Sequence, residues 1–333
     1  MYNPSEYSLH ADFKIYHLSD DLSSLYIRLY PNELLFNQAN EDMEYRAMVE
    51  IEYSLFELGE DDGIIAKADS GKIEYKLLEK DKDRTAYFRA SVLQIPSGKK
   101  YLMRFDTRDV QRGTVGLKHL FVDKSDPLSS QNFNVVSARS NYPRFLNYFS
   151  SEEIFRLLYR QLGIDTLYLD FFKQDRLMPR PQVFIDSPSE FIIEPDTTIA
   201  LSYHGDSTIL NLPERGMYHI RLDTSSEAGL SLYNFGPDFP QVKTEEAMLG
   251  PIFYIATMME FNMLMQEKNM KRAVDDFWLK RTSSLERSRE LIRIYYNRVL
   301  YSNLYFTTNR EGWKTDRGLI YILFGPPDRM RDM

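Results

Sequence analysis

The chain has 333 residues, 43% of them hydrophobic and 14% aromatic, with no cysteine and a formal charge of −8. That apolar content excludes global disorder, and the missing cysteine excludes thiolate metal sites, disulfide frameworks and cysteine nucleophiles. The acidic balance argues against a nucleic-acid partner, because such binding rests on neutralising phosphates.

The chain opens Met1-Tyr2-Asn3-Pro4, without an apolar stretch of the secretory kind. The first 125 residues then read as β-structure. Tyr45, Ala47, Val49, Ile51, Tyr53 and Leu55 alternate with Arg46, Met48, Glu50, Glu52 and Ser54, a period of two that turns one face to a core and the other to water. Shorter alternations run over Leu25–Leu29, Ile73–Leu77 and Phe88–Val92. Turn signals fall at Gly59 to Gly63, Asp69-Ser70-Gly71 and Pro96-Ser97-Gly98. With further strands near 12–18, 100–108 and 114–122, about seven fit, which predicts a sandwich of immunoglobulin-like architecture. Asp123 to Ser130 reads as a linker.

A second β-rich region comes next, with strand candidates at Thr166–Phe172, Phe191–Glu194, Thr198–Tyr203, Ser207–Leu212 and Met217–Asp223. Glu153 to Gln161 fits helix and strand alike. Beyond Lys243 the period becomes helical. Thr244-Glu245-Glu246 signals a helix start, and Ile252, Ile255, Met259 and Met263 are expected to share one face of the helical segment. Ser283-Ser284-Leu285-Glu286 fits a capping box opening a helix to about Tyr305, with Leu285, Ile292, Tyr295, Tyr296 and Val299 as its apolar stripe. Leu319 to Phe324 is a six-residue apolar run between glycines, which predicts a strand buried on both faces. A strand of that kind needs neighbours, so the natural chain is expected to run on past Met333. The predicted fold is therefore mainly β with a C-terminal α+β part: one sandwich over 1–125, a second over 133–243, and a helical segment with a further module over 244–333.

Charge is uneven: Lys268 to Met333 carries 14 basic and 8 acidic residues, whereas residues 1–267 carry 27 and 41. Solvated helix faces account for this, as does a basic end that meets an acidic partner. The longest apolar stretch, Gly250 to Met259 with one Thr, is far shorter than the ~20 residues that span a bilayer.

Gly312-Trp313-Lys314-Thr315-Asp316, then Arg317-Gly318, the apolar run and Phe324-Gly325-Pro326-Pro327-Asp328, resembles the GWxTD-domain family of bacterial, mostly Bacteroidota, proteins. Ala273 to Trp278, Glu286-Arg287, Tyr295 to Val299 and Tyr305 to Thr308 resemble that family's helical lead-in. The resemblance implies an exported, often lipid-anchored envelope protein, periplasmic or outer-membrane-associated, with no established enzymatic activity. Neither signal peptide nor lipidated cysteine is present here, which fits a mature chain with Met1 supplied as a start and an N-terminal lipid anchor missing.

The GWKTD segment has two readings. Gly312 permits an unusual φ, Thr315 or Asp316 can satisfy free backbone N–H groups, and Arg317 can pair with Asp316 or Asp328, which together make a rigid turn. Alternatively Trp313, Lys314, Thr315, Asp316, Arg317 and Asp328 form a recognition surface anchored by the indole. Asp275-Asp276 reads as a solvated face, because adjacent helical residues point about 100° apart. His10, His17, His119, His204 and His219 show no metal spacing, and His219 is expected to face water. Six methionines (248, 258, 259, 263, 265 and 270) fall within 23 residues and read as core filling. No catalytic, cofactor or metal residue is assigned. The expected function is a non-catalytic envelope protein acting in protein–protein interaction or assembly with other envelope proteins. The alternatives are a glycan-binding module using exposed aromatics, and a hydrolase with carboxylates from separate domains.

Overall fold

The computed structural model describes residues 9–38, 44–149, 152–160, 163–173, 194–282 and 284–326. They form a mainly β chain of antiparallel sheets closed by a helical region. The first region holds β1 (Ala11–His17), β2 (Leu22–Leu29), β3 (Asn37–Gln38), β4 (Tyr45–Leu58), β5 (Ile64–Leu78), β6 (Tyr87–Gln94), β7 (Lys100–Asp109) and β8 (Val115–Asp123). One sheet runs β1-β2-β6; the other runs β3-β4-β7-β8, with β5 also paired to β4. Alternation sets their burial. Ala47, Val49, Ile51 and Leu55 of β4, and Tyr101, Met103 and Phe105 of β7, share one core with Leu25, Ile27 and Leu29 of β2. Burying each Val, Leu, Ile, Met or Phe side chain of that set is worth about 1.5–3 kcal/mol.

The expected strands are present here, but one expected turn is not. Asp69-Ser70-Gly71 lies inside β5, paired with Leu55, Ser54 and Tyr53. Gly71 fits because the Tyr53 ring covers it; a Cβ there would lie 2.7 Å from the ring. The turns at 59–63 and 96–98 do form, with Gly59 N–H donating to Gly63 O at 2.8 Å and Gly98 at φ +79°. The segment 123–130 is an ordered turn, in which the Asp123 carboxylate accepts from the N–H groups of Ser125 and Asp126.

The second region holds β9 (Phe133–Ser137), β10 (Tyr148–Phe149), β11 (Ile154–Tyr159), β12 (Thr166–Lys173), β13 (Thr197–Ser202), β14 (Ile209–Asn211), β15 (Gly216–Arg221) and β16 (Leu230–Asn234). Its sheets run β10-β16-β15-β12-β13 and β14-β11-β9, antiparallel except for the β10–β16 pair. The segment that fitted helix and strand alike is strand β11, its Phe155, Leu157 and Tyr159 buried. Of the candidate at Phe191–Glu194, all but Glu194 lies outside the described residues. His219 is only half-exposed: its Nδ1 lies 2.9 Å from Ser231 Oγ, beside the Arg221–Asp170 ion pair at 2.7 Å. Burial lowers its pKa, the Asp170 charge opposing that shift. The expected water-facing position is corrected accordingly, because Gly229 packs against the ring.

The two β regions touch through polar and aromatic contacts, Phe88 of β6 stacking on Tyr142 at 4.1 Å. Lys14 Nζ donates to Arg144 O at 2.8 Å, and Arg160 pairs with Asp20 at 2.7 Å. Burial and the nearby Arg144 pull the Lys14 pKa down to about 7. His17 is fully buried, bonded to Ser23 Oγ and Asp123 O at 3.0 Å each, and burial beside Lys124 lowers its pKa to about 4.

The helical region holds α1 (Glu245–Ile252), α2 (Met258–Gln266), α3 (Met270–Leu279), α4 (Leu285–Phe306) and α5 (Asp316–Phe324). Thr244, Thr257, Asn269, Ser284 and Thr315 each accept at their side chains the N-cap hydrogen bond that starts a helix. The Thr257–Glu260 capping box ends the expected common face: Ile252 is buried, while Met259 and Met263 beyond the break are exposed. The methionine reading is corrected with it. Met258, Met259, Met263, Met265 and Met270 are 44–71% exposed, so they line a surface, and of the six only Met248 packs against the helical core.

The larger correction concerns Leu319–Phe324, which is helix α5 and not a strand. Thr315 Oγ1 accepts from Gly318 N–H at 3.1 Å, Asp316 sits in the first turn, and Gly325 at φ +89° ends it. Burial follows the helical period: Gly318, Tyr321 and Ile322 face inward, Ile320, Leu323 and Phe324 outward. With the strand gone, its want of neighbours argues nothing about the length of the chain. No described helix is long and apolar enough to cross a membrane.

Candidate functional site

The GWKTD segment is a one-turn 3-10 helix, Gly312–Lys314, wedged between α4 and α5. Gly312 sits directly on α4; a Cβ there would lie 1.9 Å from Ser302 O and 2.8 Å from Asn303 Cα. Gly318 lets the start of α5 close on the same turn, since its Cβ would lie 1.9 Å from Gly312 O. Both glycines therefore serve contact between backbones.

Trp313 is 9% exposed and belongs to the helical core with Leu249, Ile252, Val274, Phe277, Trp278, Tyr295, Tyr296, Val299 and Ile322. Its ring lies 3.0 Å from where a Cβ on Gly250 would stand, and edge-on to Tyr254 at 6.0 Å. The indole is therefore a packing group and leaves little area for a partner. Lys314 covers it from outside, Nζ 5.3 Å above the ring and 2.7 Å from Glu311 Oε2. Thr315 does two jobs: Oγ1 donates to Gly312 O at 2.7 Å while it caps α5. Asp316 and Arg317 are exposed at the first turn of α5 and form no ion pair with each other. Asp328 lies outside the described residues, so the expected Arg317–Asp328 contact falls there too. Of the six sequence-predicted residues, the fold thus brings Trp313, Lys314 and Thr315 together as a packed turn and leaves Asp316 and Arg317 on the surface.

Residues that sequence reasoning missed hold this turn. Asn303, 2% exposed, accepts from Trp313 N–H at Oδ1 (3.1 Å) and donates from Nδ2 to Pro240 O (3.0 Å). Thr307 Oγ1 donates to Asn303 O at 2.6 Å and accepts from Gly312 N–H at 2.9 Å. Tyr254 O–H donates to Trp313 O at 2.7 Å, and Tyr295 and Tyr296 donate to Pro251 O and Met248 O. Burial raises the pKa of all three phenols, so they stay protonated donors. Arg298 Nη1 closes the far end, donating to Ile322 O at 2.9 Å and Leu323 O at 3.2 Å, the last carbonyls of α5.

The outer surface of this packed unit is apolar. On α4, Leu291, Ile294, Tyr301 and Tyr305 repeat at spacings of 3, 7 and 4 residues and are 38–45% exposed. On α5, Ile320, Leu323 and Phe324 are 56%, 38% and 80% exposed. Tyr321 joins the two stripes, its ring 6.1 Å from that of Tyr305, which in turn stacks on Tyr301 at 5.8 Å. Arg287, Arg289 and Arg293 project into solvent from the same α4 and form no ion pair among the described residues. Among those residues no cluster of three His, Asp or Glu is placed to hold a metal.

Residues 216–333 match the family model of the GWxTD domain, a span that starts in β15 and takes in all five helices. None of the curated proteins matches the chain in sequence. Among solved structures, red sea bream transglutaminase is 8% identical at a TM-score of 0.23, over 67% of this chain and 31% of its own, so the chain spans less than a third of that enzyme. Spo0M, a sporulation control protein from Bacillus subtilis, is 10% identical at a TM-score of 0.22, over 50% of this chain and 76% of its own. Likenesses at such scores carry no argument about fold or function.

Proposed function

We propose, for a chain whose residues 216–333 form a GWxTD domain, that it is a non-catalytic cell-envelope protein that docks an acidic, apolar surface of another envelope protein. In this reading two immunoglobulin-like sandwiches in series carry the GWxTD unit, and the protein works periplasmically or at the outer membrane, held by an N-terminal lipid. The observation that carries it is the outer face of α4 and α5. Seven apolar side chains are exposed there in a helical stripe, and Arg287, one turn before Leu291 on α4, extends it with no ion pair among the described residues. Apolar patches on soluble proteins mark interaction sites, and charge at their rim sets partner choice and encounter rate. The basic excess of residues 268–333 favours an acidic partner.

The reading moves the contact from the signature residues to the surface they support. Trp313 positions α5 on α4, and Ile320 and Phe324 touch the partner. The test is in-cell photocrosslinking from position 320 in the full-length protein, with Arg287→Glu as the charge variant. A single stoichiometric envelope protein, lost in the charge variant, is the expected product. Crosslinking to no protein, or equally to many, defeats the reading.

A further inference from the structure

We infer a second binding site, independent of the docking face: a cleft of about 340 Å³ that takes a neutral oligosaccharide. It lies where β10 and β16 of the second β region meet the chain leaving α4. Phe145, Tyr148 and Tyr233 supply aromatic walls, and Asn147, Thr308 and Asn309 supply polar ones. Among the described residues no charged side chain lines it.

Each element of that lining suits a sugar. Pyranose rings present C–H faces that pack on aromatic rings, and their neighbouring hydroxyls need groups that both donate and accept, as a carboxamide does. Tyr148 is backed by Phe239 edge-on at 5.1 Å and by Phe235 at 6.3 Å, so its ring is held in place before a ligand arrives. Tyr233 is held likewise, parallel to Phe235 at 5.8 Å. Meanwhile the Tyr148 hydroxyl and the Asn147 side chain make no hydrogen bond among the described residues. Among the described residues Asn309 uses only Oδ1, accepting from Thr308 Oγ1 at 3.1 Å, and its NH₂ makes no hydrogen bond. A cleft of this size with a few oriented polar groups has the form of a small-ligand site, and the absence of charge selects a neutral one.

A second observation argues for more than one sugar unit. Phe145 continues away from the cleft into Phe88, at 6.1 Å, and Phe88 stacks on Tyr142 at 4.1 Å, where Tyr142 is 42% exposed. This aromatic track starts on the cleft wall and crosses to β6 of the first region. Arg28 lies 4.8 Å over Phe145 and fixes that ring from the other side. An extended neutral chain would seat one end against Tyr148 and lie along Phe88 and Tyr142.

The full chain is probed with an array of neutral and acidic glycans, and affinities for the array's best neutral trimer and hexamer are then measured by calorimetry. Tyr148→Ala is expected to weaken both about tenfold, and Asn309→Ala, an exposed change that leaves folding alone, to weaken both by a smaller factor. Tyr142→Ala is expected to weaken the hexamer and spare the trimer. Phe324→Ser on the docking face is expected to change neither, so this site and the docking reading fail separately. A silent array, binding confined to acidic glycans, or sugar binding indifferent to both Tyr148→Ala and Asn309→Ala would overturn the assignment.

Discussion

The first β region and the helical region solve the same packing problem by different means. In the sheets, ladder hydrogen bonds fix the distance between strands at about 4.8 Å, and alternation decides which side chains fill the core. Helices have no such ladder between them, so their separation is set by whatever lies at the contact. Here it is glycine: Gly312 against Ser302 and Asn303, Gly318 against Gly312, and Gly250 under Trp313. In the first β region the obstacle at Gly71 is the movable Tyr53 ring, whereas Gly116 of β8 stands against the Leu9 carbonyl, 1.9 Å from where a Cβ would lie. Among the helices, main chain is the obstacle at both Gly312 and Gly318.

Gly312→Ala tests this contrast most severely. Its Cβ would meet backbone, which cannot step aside, so a loss of about 3 kcal/mol or more is expected in the helical region. Both tryptophans, Trp278 and Trp313, lie there, so their emission should shift to the red while the β-sheet circular dichroism persists. Acid should do the reverse. The folded His17 pKa near 4 lies below its ordinary 6.5, so the fold favours the neutral ring, and the stability this gives is present above pH 6.5 and lost as pH falls toward 4. That is up to about 3 kcal/mol at 1.36 kcal/mol per pH unit, expected in the first β region with tryptophan emission unchanged, and flattened in His17→Gln. Asn303→Ala strands Trp313 N–H and Pro240 O and should cost about 2 kcal/mol by chemical denaturation. Gly71→Ala should cost at most about 1 kcal/mol, because the Tyr53 ring can turn away. Phe324→Ser, at 80% exposure, should leave the melting temperature in place and remove partner capture alone.

The β regions were legible wherever alternation ran long enough, as in β4, because a period of two has few rivals. Short strands such as β9, β10 and β16 carry too few residues to show a period, and the sequence reading passed over them. Leu319–Phe324 was misread for a different reason. Six apolar residues in a row look alike as strand or helix, and the arbiter lay at the ends: Thr315 three residues before Gly318, Asp316 in the first turn, Gly325 after the last. The GWKTD letters were legible as a signature, and the turn reading of Thr315 holds. Their dependence on Asn303, Thr307 and Tyr254 was not, since those contacts exist only once α4 and α1 have packed. The methionines misled because composition says nothing about which side of α2 meets solvent.

Asn303 joins three segments with one carboxamide: α4, which carries it, the connection at Pro240 and the turn at Trp313. Mechanically it is a pin through three plates. Any swing of the helices about the 240 connection strains the Asn303–Pro240 bond first, and the same carboxamide hands that strain on to the turn at Trp313.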